Sequence, residues 1–139
     1  MAGIQLHPYL NFDGKTEEAM KFYSECLGGK LEIMRFGDSP QPGPPEAKNR
    51  VMHSTIKTDT LTLMASDTMP GQPFEKGSQC SLSLNFSSKD ELQRTWDKFS
   101  KNGSQVTMPL GEQFFGTFGM IKDKYGCSWM FHFATPPQK

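Results

Sequence analysis

Residues 9–29, YLNFDGKTEEAMKFYSECLGG, and residues 83–103, SLNFSSKDELQRTWDKFSKNG, decide the fold, because one is a degenerate copy of the other. Leu10-Asn11-Phe12 repeats as Leu84-Asn85-Phe86 at an offset of 74. The same offset sets Phe22 against Trp96 and Gly29 against Gly103. The matches are few, but each falls where the pattern changes state, which is what a repeated supersecondary unit leaves behind.

Each copy opens with alternation. Leu6, Pro8, Leu10 and Phe12 fall on one side of the first run, and His7, Tyr9 and Asn11 on the other. In the second, Leu82, Leu84 and Phe86 oppose Ser81, Ser83 and Asn85. Period two predicts a strand with one face on a core. A helix follows in each. Glu17 and Glu18 suit the positive end of a helix dipole. Ala19, Phe22, Tyr23, Cys26 and Leu27 then keep helical spacing, until Gly28-Gly29 ends it. Ser88 with Glu91 three residues on reads as a capping box. Leu92, Thr95, Trp96 and Phe99 form the second inner stripe, which Asn102-Gly103 stops.

Three further strands are expected in each half, at 30–36, 50–58 and 61–66, then at 105–110, 117–123 and 128–133. The stretch 37–49 holds four prolines and two glycines, so it is a loop. Residues 67–78, also rich in Pro and Gly, read as a linker between modules 1–66 and 79–139. The expected class is α+β: two βαβββ modules in one domain over 1–139, with mixed or antiparallel sheets. A lone helix covers only one sheet face, so the helices lie outside and the other faces form a concave cup.

Composition narrows the partners. Fifteen Lys and Arg balance fifteen Asp and Glu, so no basic surplus exists for phosphate backbones, and nucleic acid is not expected. No run nears the roughly 18 apolar residues of a membrane span, and no basic leader precedes an apolar stretch at the N-terminus. Three scattered cysteines, Cys26, Cys80 and Cys127, form neither a disulfide framework nor a metal knuckle. A cytoplasmic protein with reduced thiols is the resulting expectation. A homodimer is expected too, because Phe114, Phe118, Met120 and Ile121 crowd apolar side chains into one loop-and-strand region.

The opening strand ending in NFDG, the FY before GG, and the late MPL…FFGTFGMIKDKYGCSWMFH together resemble the vicinal oxygen chelate superfamily, the glyoxalase, bleomycin-resistance and dioxygenase group. More narrowly, they resemble its PhnB-like branch, often labelled demethylubiquinone methyltransferase-like. Metal enzymes of that superfamily draw ligands from the first and last strands of each half. By the resemblance, those positions fall on His7, Ser81, Met64 and Met130. Only His7 suits a hard or borderline cation, since thioethers are soft, weak ligands. No catalytic metal and no cofactor are therefore expected. A methyl-donor site of the doubly wound kind is not expected either. It needs a Gly-rich strand-to-helix turn, and Asp13-Gly14 supplies one glycine.

Alternation fixes what lines the cup: His7, Tyr9 and Asn11; Ser81, Ser83 and Asn85; Thr62, Met64 and Ser66; Ser128, Met130 and His132; and, by the phase of the third strand, His53 and Thr55. Convergent polar groups on an adaptable methionine floor suit a small-molecule ligand. The ligand-binding set is expected to be His7, Tyr9, His53, Met64, Ser81, Ser83, Phe115 and Met130. Phe114 and Phe115 are expected to form a lid or wall. Glu112, in the Pro-Leu-Gly-Glu-Gln loop before them, becomes a general base only if desolvation raises its pKa. Three functions fit: a metal-free small-molecule binder, a metal-assisted or acid/base lyase, isomerase or dioxygenase, and a sequestering protein holding a planar compound against Tyr9, Phe114 and Phe115.

Overall fold

The structure is a computed structural model that describes residues 3–40, 43–75, 77, 79–101 and 103–134. Asn102, expected to help stop the second helix, and Lys76 and Ser78 of the expected linker lie outside the described residues. The chain divides into two compact units, Met1–Glu75 and Lys76–Lys139. The division falls inside the expected linker, but the last strand of the first unit runs one residue into it, to Asp67.

The first unit runs β1 (Tyr9–Phe12), α1 (Thr16–Leu27), β2 (Lys30–Arg35), β3 (Val51–Lys57) and β4 (Thr62–Asp67). The second runs β5 (Leu82–Asn85), α2 (Lys89–Phe99), β6 (Gln105–Gln113), β7 (Gly116–Lys122) and β8 (Ser128–Ala134). Each has a four-stranded mixed sheet, ordered β1-β4-β3-β2 and β5-β8-β7-β6. The first and last strands of each unit pair in parallel, and the remaining pairs are antiparallel. The expected α+β class and the βαβββ repeat are both present. Two short 3-10 turns, Phe36–Asp38 and Pro45–Ala47, shape the proline-rich loop.

The helical stripes bury as the spacing predicts. Ala19, Met20, Phe22, Tyr23 and Cys26 of α1 meet Phe12, Ile56, Leu63 and Ala65 on the inner face of the first sheet, with Leu27 only half-buried. In the second unit Leu92, Trp96 and Phe99 of α2 pack with Ile121, Trp129 and Phe131. Phe131 lies at the centre of that aromatic core, its ring 5.0 Å from Trp96, 5.3 Å from Phe99 and 6.0 Å from Phe86. The helix sits so close that a Cβ on Gly119 of β7 would come within 2.8 Å of the Trp96 ring. At Gly29 a positive φ coincides with a Cβ position 2.7 Å from the Lys57 carbonyl, so only glycine fits the turn into β2.

The two helices start differently. Ser88 accepts a hydrogen bond from the Glu91 amide at 3.3 Å and caps α2 locally, as its sequence predicts. Lys15 provides no such cap for α1. There Asp67, at the end of β4, accepts from the Thr16 amide at 3.1 Å and the Thr16 hydroxyl at 2.7 Å. Its other oxygen accepts from the Val51 amide at 2.9 Å. All three residues are buried. Asp123 does similar work in the second unit. It accepts from the amides of Tyr125 and Cys127 and from Trp129 Nε1 at 2.9 Å.

Three expectations are corrected. Leu6 does not pack on the helix: the strand begins at Tyr9, and Leu6 is 93% exposed. The apolar cluster around Phe114 is not one patch. Ile121 faces α2, because it pairs with Trp129, whereas Phe118 and Met120 lie on the opposite face, opposite His132 and Met130. Glu112 lies in β6 rather than a loop, since that strand reaches Gln113 through two register shifts.

Glu17, in the first turn of α1, meets Arg35 at 2.8 Å and Lys21 at 3.1 Å. The Arg35 hydrogen bond, then that of Lys21, holds its pKa down from 4.5 to about 2. A carboxylate depressed by folding stabilises the fold above its unfolded pKa and stops doing so as pH falls through its folded one. The contribution is therefore whole above pH 4.5 and lost on the way to about pH 2. With the two side chains 35% and 34% exposed, solvent screening limits it to about 1 kcal/mol. In denaturation at stepped pH, the stability gap between wild type and Glu17→Gln should close over that window. A gap that stays constant to pH 2 would contradict the pairing.

Candidate functional site

Each unit leaves one sheet face free of its helix, and the strand register assigns the side chains on it. In the first unit Tyr9 pairs with Met64 and Asn11 with Ser66, while Thr55 pairs with Met64 and His53 with Met34. Tyr9, Asn11, Met34, His53, Thr55, Met64 and Ser66 therefore share the open face. The expected phase of β3 holds, since its inner-face residues Ser54 and Ile56 are buried.

A strip of hydrogen bonds crosses this face. The Tyr9 hydroxyl lies 3.0 Å from His53 Nδ1, and the Thr55 hydroxyl 3.1 Å from His53 Nε2. A neutral imidazole carries one N–H, so one hydroxyl donates to the ring while the other accepts from it. Either way both ring nitrogens are engaged and the ring is held in place. Ser66 donates to Asn11 Oδ1 at 3.5 Å beside the strip. His7 stands two residues before β1, exposed and outside the strip.

In the second unit the register pairs Ser83 with Met130, Asn85 with His132, Phe118 with His132, and Met120 with Met130. Asn85 Oδ1 lies 3.3 Å from His132 Nδ1, at the place where the first unit has Asn11 against Ser66. Phe115 reaches over from the β6–β7 turn, its ring 5.6 Å from His132 and 5.5 Å from Phe118. His132 Nε2 is buried and has no hydrogen-bond partner among the described residues. Ser81 is exposed just before β5, and Phe114 is 96% exposed at the turn, in edge contact with Phe115.

Sequence reasoning put Asn85 and His132 on this face but left them out of the expected ligand set. The parallel pairing of β5 with β8 is what makes them partners. Glu112 is tied to Lys89 and to the Thr117 hydroxyl, at 2.9 Å for the latter. These contacts, the Lys89 one first, hold its pKa below the ordinary carboxylate value, opposite to the shift a general base requires.

A divalent metal fits these residues poorly. The positions that the superfamily resemblance assigns to ligands hold two thioethers and a serine beside His7. Among the described residues, no three His, Cys, Asp or Glu side chains gather as a ligand set. A methyl-donor site of the doubly wound kind fits no better, because Asp67 already fills the start of α1 after the single-glycine turn. No helix among the described residues is long and apolar enough to cross a membrane.

A family model described as 3-demethylubiquinone-9 3-methyltransferase matches residues 4–131, nearly the whole chain. The chain belongs to this PhnB-like family. Protein PA1353 from Pseudomonas aeruginosa is 40% identical to this PhnB-like chain. Its crystal structure superposes with a TM-score of 0.87 over 96% of this chain and 100% of that one. The PhnB protein from Bacillus cereus is 29% identical, with a TM-score of 0.74 over 94% and 100%. Protein YjdN of Escherichia coli (strain K12) is 29% identical over 140 residues, 91% of this chain and 93% of its own. A glyoxylase/bleomycin resistance protein/dioxygenase domain from Frankia sp. EAN1pec shares the fold at 18% identity, with a TM-score of 0.65 over 97% and 99%. The PhnB-like chain thus has the fold of the vicinal oxygen chelate superfamily, and that fold hosts many chemistries.

Proposed function

We propose that this PhnB-like protein binds a small molecule against its open sheet faces, holding it by hydrogen bonds and apolar contact rather than through a metal. The observation that carries the reading is the Tyr9–His53–Thr55 strip, flanked by Met34 and Met64. Its polar atoms fix one another's orientation before any ligand arrives, which lowers the ordering cost of binding. The methionines supply a floor that adapts to ligand shape. His7, Tyr9, His53 and Met64 are the proposed contacts in the first unit, and Ser81, Ser83, Phe115 and Met130 those in the second.

The test is an NMR titration of the full chain with a fragment library, reading shifts on both open faces. For a fragment that moves Tyr9 and His53, His53→Ala should weaken binding by about 1–3 kcal/mol, the cost of an unpaired polar group. His7→Ala should weaken it as well while leaving stability within about 0.5 kcal/mol, because His7 is exposed. Open faces that no fragment perturbs, or unchanged affinity in both variants, would overturn the reading.

The same strip favours an acid/base lyase or isomerase as the second reading, since the Tyr9 hydroxyl has an imidazole nitrogen within proton-transfer reach. Binding that survives Tyr9→Phe while a detected turnover disappears would select it.

A further inference from the structure

We propose that His132, in the second unit, is a tautomer-locked acceptor for the hydroxyl or N–H of a planar aromatic ligand. The inference rests on the small-molecule reading above and names the ligand chemistry for one of its faces.

The lock comes from Asn85. Its Oδ1 can only accept a hydrogen bond, so His132 Nδ1, 3.3 Å away, carries the proton. A neutral imidazole then presents a lone pair at Nε2. That atom is buried and, among the described residues, unpartnered. Buried polar atoms are nearly always satisfied in folded proteins, so a solitary acceptor beside an otherwise well-packed sheet marks a missing donor. The first unit has no counterpart: Ser66 replaces the histidine there, and its hydroxyl is used by Asn11.

The surroundings choose the rest of the ligand. Facing His132 are Asn85 from β5, Phe118 from β7, Phe115 from the β6–β7 turn and, next but one along its own strand, Met130. None carries a charge. Among these residues a ligand anion would meet a lone pair and no cation, whereas a neutral donor meets a ready acceptor. Rings prefer rings at these spacings, so the donor belongs on an aromatic scaffold. Phe115 is the ring that must yield: it sits at a turn and is 39% exposed, whereas Phe118 is held within β7. The ligand ring takes over its contacts with Phe118 and His132.

The experiment uses the full chain with 15N-labelled histidine, and as probes 4-methylphenol, a phenol that stays un-ionised at neutral pH, and its methyl ether 4-methylanisole, which lacks the hydroxyl hydrogen. Without probe, the His132 nitrogen shifts should report a protonated Nδ1 and a bare Nε2. 4-Methylphenol should bind at least tenfold more tightly than 4-methylanisole and shift Phe115 and His132. His132→Phe, which keeps the ring and its packing, should abolish that preference. Asn85→Ala, an exposed change that spares the fold, should reduce it severalfold by releasing the tautomer. Equal affinity for both probes, a preference surviving His132→Phe, or a bare Nδ1 would overturn the assignment while leaving small-molecule binding intact. Failure of both probes to bind also overturns it. The parent reading falls on its own test: open-face resonances that no fragment moves, or affinity unchanged in both His53→Ala and His7→Ala.

Discussion

Asp67→Ala is expected to lower the stability of the chain by about 3–5 kcal/mol, measured by guanidinium denaturation with the slope held constant. Three buried donors lose their acceptor at once: the Thr16 amide, the Thr16 hydroxyl and the Val51 amide. Each hydrogen bond to a carboxylate contributes about 1.5–3 kcal/mol, and partial rehydration of the site keeps the total below the full sum. Asp67→Asn separates charge from geometry. Its amide oxygen can still serve Thr16, but its NH2 then points a donor at the Val51 N–H. It should therefore fall between wild type and the alanine variant. Wild-type stability in Asp67→Asn would show that the Val51 contact contributes nothing.

Phe131→Ala should cost a similar amount, about 3–5 kcal/mol, by a different route. The side chain is fully buried and stacks or meets edge-on with Phe86, Trp96 and Phe99. Truncation leaves a cavity walled by rings on α2 and just past β5 that cannot all shift inward. Phe114→Ala is the matched control. It removes the same atoms from a ring that is 96% exposed and should change stability by less than about 0.5 kcal/mol. Equal costs for the two would mean that the aromatic core of the second unit is not where the packing lies.

Much of this architecture could be read from residue order. The 74-residue offset and the helical stripes placed α1, α2 and the six later strands to within a few residues, because apolar periodicity is imposed by the packing it creates. Period two also assigned Tyr9, Met64, Ser83 and Met130 to the open faces. What escaped the reading was long-range or local in geometry. Leu6 continues the alternation of β1, yet no neighbouring strand extends to meet it, and periodicity cannot register where a partner ends. In sequence Glu112 reads as a loop carboxylate, in a run with Pro109 and Gly111. An edge strand tolerates both through register shifts. Asp67 and His132 owe their roles to residues 51 and 47 positions away in the chain, and no local spacing announces such pairs.

The contrast between the two helix starts bears on how the chain acquires its shape. Everything α2 needs to begin lies within four residues, from Ser88 to Glu91, so this helix can flicker into existence before any strand has found its neighbour. The start of α1 is instead completed by a residue made 51 positions later, at the last strand of its unit. Until that distance is closed, the Thr16 donors belong to water, and closing it carries the chain-entropy penalty of a long loop. The two halves, alike once folded, thus differ in their history: the second can be seeded from within, while the first consolidates only when its final strand docks.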